Sequence, residues 1–136
     1  MAGSLVVQTR SFLAFDFGTR RVGVACGNTL LRRAQPLKTV APDFAVIGAL
    51  IQEWQPNALV VGVPFHPDGA EHDNTRRARR FARQLHGRFH LPVHEVDERY
   101  TTTEALAAGA ADADAAAAAI ILDQFFNTLP QDHAAA

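Results

Sequence analysis

Cysteine occurs once, at Cys26, and tryptophan, tyrosine and methionine once each. One thiol excludes an intramolecular disulfide and a cysteine-rich zinc site, and it fits a reducing compartment. No apolar run approaches the roughly 20 residues that a membrane span requires. Met1 to Arg10 lack the basic flank and long apolar core of a secretion signal. The expectation is a cytoplasmic protein that does not engage a membrane. Basic residues are missing from the last part of the chain. Up to Arg99 there are thirteen basic and nine acidic residues, a net of +4, whereas from Thr101 onward there are five acids and no base. Lysine is nearly absent, with Lys38 alone, so the cations are arginines, whose planar fork suits phosphate. The overall net charge of −1 does not mark a nucleic-acid binder, which leaves only a local basic face for that role.

What is present is a chain of 136 residues, 48% of them hydrophobic, enough for one domain (1–136) with its own core and flexible ends at 1–10 and 130–136. Ser11 to Phe17 and Arg21 to Cys26 read as a hairpin of strands, and Gly27-Asn28 as the next turn. Gln35 to Val40 is a third strand, placed near an edge by Pro36. Phe44, Ile47, Leu50, Ile51 and Trp54 recur at helical spacing behind Pro42-Asp43. Ala58 to Val63 is a continuous apolar run of the kind found in a central strand. Pro64 to Thr75 reads as a polar loop, and Arg76 to Phe89 as an amphipathic helix with Ala78, Phe81, Ala82 and Leu85 on its apolar side. Pro92 to Val96 is a short strand. Thr101 or Thr102 caps a further helix, Gly109 breaks it, and a last helix runs from about Ala113 to Asn127. The order predicts an α/β fold: an antiparallel meander, then parallel strands, in a mixed sheet with helices on both faces. Trp54 and the phenylalanines are assigned to the core.

The most informative stretch is Leu13-Ala-Phe-Asp-Phe-Gly-Thr-Arg-Arg-Val-Gly-Val-Ala25. Asp16 stands in an apolar strand, where an ionised carboxylate costs several kcal/mol unless a charge compensates it. Glu98 follows a later strand, and Asp114 falls in the first turn of the last helix, where the helix dipole favours an anion. Sites gather at the strand ends of α/β sheets. Three carboxylates there would form an oxygen-rich cage for Mg²⁺ or Mn²⁺, ions that work in pairs in phosphodiester hydrolysis. Gly18, Thr19 and Arg20 add backbone amides, a hydroxyl and a guanidinium beside Asp16. Arg76, Arg79, Arg80 and Arg83 share one helix face, against which a phosphate backbone can lie.

Each feature also has a plainer account. Asp97 and Glu98 can pair with Arg99, and Asp112 and Asp114 can serve only as helix-start residues. Gly18 to Arg20 can be an ordinary hairpin turn, and the arginine helix a solvated surface. His66, His72, His86, His90 and His94 show no ligand spacing and are assigned to surface or packing.

Four segments, in order, resemble the YqgF/RuvX family of Holliday-junction resolvases. Ala14 to Ala25 is similar to the family's opening strand pair. Val60-Val-Gly-Val-Pro64 with Asp68-Gly69 is similar to its middle strand and loop. Val96 to Thr103, containing Asp97-Glu-Arg-Tyr-Thr-Thr102, resembles its Asp-Glu-Arg-hydrophobic-Thr-Thr signature. Asp114 through Ile120-Ile-Leu122 resembles its closing segment. The resemblance implies an RNase H-like fold and a nuclease that processes the 5′ end of pre-16S ribosomal RNA or resolves Holliday junctions. It implies Asp16, Glu98 and Asp114 as the catalytic, metal-binding set, with Asp16 bridging two ions, and it makes Arg20 and Arg99 candidates for phosphate contact. The chain departs from the pattern at Leu106 to Ala113, which is short and carries no base. It departs again at Phe65-His-Pro-Asp-Gly-Ala70, where Ala70 lacks the hydroxyl usual in relatives.

The leading reading is thus a metal-dependent endonuclease acting on structured nucleic acid, pre-16S rRNA or branched DNA, with ribosomal precursor particles as partners and a monomer or homodimer as its state. A four-way junction needs two active sites and therefore a dimer. A sugar-kinase-like phosphate-handling domain lacks the second domain needed to close over ATP. A non-catalytic RNase H-like binding module is the remaining alternative.

Overall fold

The computed structural model describes residues 8–98 and 106–130. Five strands form one sheet: β1 (Ser11–Phe17), β2 (Val22–Asn28), β3 (Gln35–Val40), β4 (Ala58–Val63) and β5 (Val93–Asp97), in the order β3-β2-β1-β4-β5. β1, β2 and β3 pair antiparallel, whereas β4 pairs parallel with β1 and β5 parallel with β4. This is the predicted mixed sheet. β1 and β4 lie inside it and are the most apolar strands. β3 is an edge, and the register with β2 shifts at Val24/Ala25, beside Pro36. An edge tolerates this because proline has no N–H to give the ladder.

Alternation along the strands divides the core into two layers. Leu13, Phe15, Val22, Val24, Leu59, Val61 and Val63 face α1 (Phe44–Trp54) and α2 (Asp73–Phe89). Phe12, Ala14, Ala25, Ala58, Val60 and Val96 face α3 (Ala113–Thr128), which contributes Ala118, Ala119, Ile121, Leu122, Phe125 and Phe126. The alanine run is helix, as expected. Its small residues let α3 lie close along the sheet, with the phenylalanines filling the far end, where Phe12 meets Phe125 edge-on.

Several boundaries differ from the sequence reading. β2 starts at Val22 and runs through Gly27 and Asn28, and the turn comes later: Asn28 Oδ1 accepts from the Leu31 amide. α2 begins at Asp73, three residues before the expected Arg76, because His72 caps it. His72 Nδ1 accepts from the Asn74 amide, while Thr75 Oγ1 accepts from the His72 amide. Trp54 is 41% exposed at the last position of α1, not core, because Ile47 and Leu50 carry that helix's burial. Gly109 (φ 88°) follows the helical residues 106–107 as expected. The Thr101/Thr102 cap lies outside the described residues. Arg10, just before β1, exchanges two hydrogen bonds with Thr29, just past β2: its amide donates to Thr29 Oγ1 and its carbonyl accepts from the Thr29 amide.

Candidate active site

One row of residues crosses the sheet under the N-terminus of α3. Thr39 of β3 pairs with Gly23 of β2, and Gly23 pairs with Asp16 of β1. Continuing the β1–β4 register by one residue sets Gly62 beside Asp16, and Gly62 pairs with Val96 of β5. Phe12, Ala14, Ala25, Val60 and Val96 fix this face as the α3 side, so alternation puts Asp16 there too. Asp16 therefore sits between two glycines.

Each glycine leaves room that another part of the site fills. A Cβ on Gly23 would stand 1.9 Å from the backbone oxygen of Asp114, so the first turn of α3 rests directly on β2 beside Asp16. A Cβ on Gly62 would stand 2.6 Å from Oε2 of Glu98 and 2.5 Å from Cδ1 of Ile121. Glu98, one residue past β5, is only 9% exposed, and its amide donates to Val63 O at 3.0 Å, extending the parallel ladder. Two carboxylate-bearing segments thus converge on the flanks of Asp16 from opposite sides. Asp97 falls on the other face of β5 by alternation and pairs with Val63.

At the start of α3, Asp112 is the N-cap: Oδ1 accepts from the Ala115 amide at 3.1 Å. The Thr39 hydroxyl donates to the same oxygen at 2.5 Å and ties the helix to the edge strand. These hydrogen bonds, Thr39 first, hold the Asp112 carboxyl below its ordinary value. Asp114 Oδ2 meets Arg21 Nε at 3.0 Å. The sequence reading singled out Arg20. The structure instead turns its neighbour Arg21 onto the acid, a choice that no strand alternation specifies inside a turn.

The remaining candidates separate. Thr19 and Arg20 are exposed in the β1–β2 turn, next to Asp16 in sequence. The Gly18 amide donates to Arg21 O at 2.9 Å, so it closes the hairpin and is not open to a phosphate. Arg76 and Arg80 ride on α2, the layer opposite the carboxylates, so the fold does not bring them to Asp16. Arg76 pairs with Asp73, and Arg79 with Glu71 and Glu95, which breaks up the expected uniform basic face. Arg99 lies outside the described residues. Gly23 and Gly62 were not singled out as site residues, although a glycine inside a strand signals close approach of another group.

The donor chemistry at Asp16, Glu98 and Asp114 is all carboxylate oxygen, which fits Mg²⁺ or Mn²⁺, and the two glycines are what admit the Glu98 carboxylate and the Asp114 backbone to the flanks of Asp16. Among the described residues, no three His, Cys, Asp or Glu side chains stand close enough together to hold an ion as placed. Asp114 is instead engaged by Arg21.

Comparison with known proteins bears on the fold and the family. The family model RuvX, described as Holliday junction resolvase, matches residues 10–128. A protein of Albidiferax ferrireducens named "Putative pre-16S rRNA nuclease" is 65% identical over 129 residues, covering 92% of this chain and 83% of its own length. One of the same name from a Polaromonas species is 62% identical over 130 residues, covering 93% and 94%. A solved structure, T. thermophilus RuvC in complex with Holliday junction substrate, superposes with a TM-score of 0.55 at 16% identity, covering 86% of this chain and 93% of that one. At that identity the likeness concerns the fold, which is RNase H-like. With the family model spanning nearly all of the described sheet and helices, this chain is a nuclease of the RuvX family.

Proposed function

We propose that the chain is a metal-dependent endonuclease that hydrolyses a phosphodiester bond at the 5′ end of pre-16S rRNA. The observation that carries this reading is the placement of Asp16 between Gly23 and Gly62, with Asp114 and Glu98 packed into the space the glycines leave. The rRNA substrate is taken from the names of the relatives at 65% and 62% identity.

Asp16, Glu98 and Asp114 are the residues that would hold Mg²⁺ or Mn²⁺. When bound, such ions supply charge neutralisation at the scissile phosphate and lower the pKa of water. The chain's own part is positional. β1 fixes Asp16 at the centre of the row, and the Glu98 amide bond to Val63 sets the second carboxylate over Gly62. The Asp112 cap and the Thr39 hydroxyl set the start of α3 and hence Asp114. Thr19 and Arg20, exposed beside Asp16, bind a phosphate of the incoming strand.

Cleavage of labelled pre-16S RNA with Mg²⁺ or Mn²⁺, run beside a four-way DNA junction, tests this reading. Metal-dependent cleavage of the RNA that disappears in Asp16→Asn and Glu98→Gln is the expected result. Cleavage of the junction alone would assign the substrate to branched DNA. Folded protein that binds RNA yet cleaves neither substrate would make it a binding module.

A further inference from the structure

α3 has no cation of its own. No Lys or Arg follows Arg99, and the acids at its start, Asp112 and Asp114, draw theirs from the β1–β2 turn. Arg21 is that cation, and what favours its position is the acids alone. A helix N-terminus carries partial positive charge and disfavours a guanidinium. Arg21 is held there by Asp114, at 3.0 Å, and by the field of Asp112. Its side chain is 72% exposed, against 35% for that of Asp114, so the arginine can leave without unpacking anything. The Asp114 backbone, pressed on Gly23, cannot move away in exchange.

We propose that Arg21 is a positioning residue that occupies the Asp114 carboxylate until a divalent cation takes it, and that the displaced guanidinium then binds a phosphate of the nucleic acid. The inference rests on the metal-site reading above. With the ion on the Asp114 carboxylate, Arg21 loses that contact and faces the ion and the helix N-terminus, while Asp16, Glu98 and Asp114 spend their charge on the ion and Asp112 stays at the helix start. A phosphodiester strand entering beside Thr19 and Arg20 then offers an anion on the same turn. The exchange couples the site's two cargoes: the metal releases the cation that holds the substrate, so metal binding and substrate binding reinforce each other.

Two measurements on the full chain test this. The first is Mn²⁺ affinity by calorimetry for wild type, Arg21→Gln, Asp114→Asn and the double variant. Removing the competing guanidinium is expected to tighten Mn²⁺ binding about two- to fivefold, the scale of an exposed ion pair, and to change nothing in the Asp114→Asn background. The second is the salt dependence of binding to a pre-16S RNA fragment, with Ca²⁺ and without metal. With Ca²⁺ the slope of log affinity against log salt is expected to be smaller in Arg21→Gln than in wild type by about one. Without metal the two slopes coincide. Mn²⁺ affinity unchanged by Arg21→Gln, or a slope difference equal with and without Ca²⁺, overturns the exchange while leaving the metal site standing. Wild type that binds no Mn²⁺, or binding that survives Asp16→Asn, overturns the metal-site reading and this inference with it.

Discussion

The Glu98 carboxylate lies over Gly62, so close that a Cβ on the glycine would stand 2.6 Å from Oε2. The acid reaches the centre of the sheet only because β4 has no side chain at that position. Replacement by alanine pushes Glu98 and the tip of Ile121 aside while leaving the backbone of the row in place. Gly62→Ala is therefore expected to cost stability modestly, about 1–3 kcal/mol, and cleavage far more, about 10²-fold, from displacing the carboxylate proposed to hold the metal. Denaturant melts beside single-turnover rates would show the split. Equal losses in both would mean that Gly62 serves packing alone.

Gly23 is the harsher case, because its obstacle is backbone: Asp114 O at 1.9 Å and Asp114 C at 2.3 Å. Neither can rotate out of the way. Gly23→Ala is expected to lift the start of α3 off β2 and to destabilise the protein by at least about 3 kcal/mol. Hydrogen exchange should show the loss concentrated at the N-terminal half of α3. A native-like melting temperature would contradict the close approach.

The other end of α3 depends on Arg32, whose guanidinium donates to the carbonyls of Phe126, Leu129 (3.2 Å) and Pro130 (3.3 Å). The Phe126 oxygen, in the last turn of α3, also accepts from the Leu129 amide at 3.2 Å, and Leu129 and Pro130 follow directly on the helix, so one guanidinium ties the helix end to the chain that leaves it. Arg32→Ala is expected to cost about 1–3 kcal/mol. Lysine should rescue little, since an ammonium on a flexible stem cannot reproduce the planar fork. Full rescue by Arg32→Lys in urea titrations would show that charge alone is needed.

His94 makes stability pH-dependent. It packs on Phe125 with ring centroids 4.9 Å apart, and its Nε2 is buried with no hydrogen-bond partner among the described residues. Burial, and secondarily the charge of Arg10, pushes its pKa below the ordinary 6.5. Below pH 6.5 the unfolded chain therefore takes up a proton that the fold resists, and stability falls as pH drops toward the folded-state pKa. In His94→Phe the denaturation midpoint is expected to decline less than in wild type between about pH 7 and 5. Parallel pH profiles would remove His94 as the cause.

Much of this was legible in the chain because it is local. The apolar run around Asp16, the continuous strand Ala58–Val63 and the alanine helix each announce their own conformation, and Asp16, Glu98 and Asp114 stand out through their neighbours. The glycines could have been read the same way. Arg76 and Arg80 show the opposite case. Helical spacing puts them on one face of α2, but only the packing of Phe81 and Leu85 against the sheet decides which layer carries that face. It is the layer away from the carboxylates.

The sequence by itself determined the elements, their approximate ends and the acids available for chemistry, because propensity, capping and alternation act over a few residues. Tertiary structure alone decided that Thr39, Gly23, Asp16 and Gly62 form one row, that Glu98 folds back over a glycine, and that Arg21 rather than Arg20 turns onto Asp114. Those relations join residues up to about ninety positions apart, and they follow from strand register and from the docking of α3, which no local window of the chain contains.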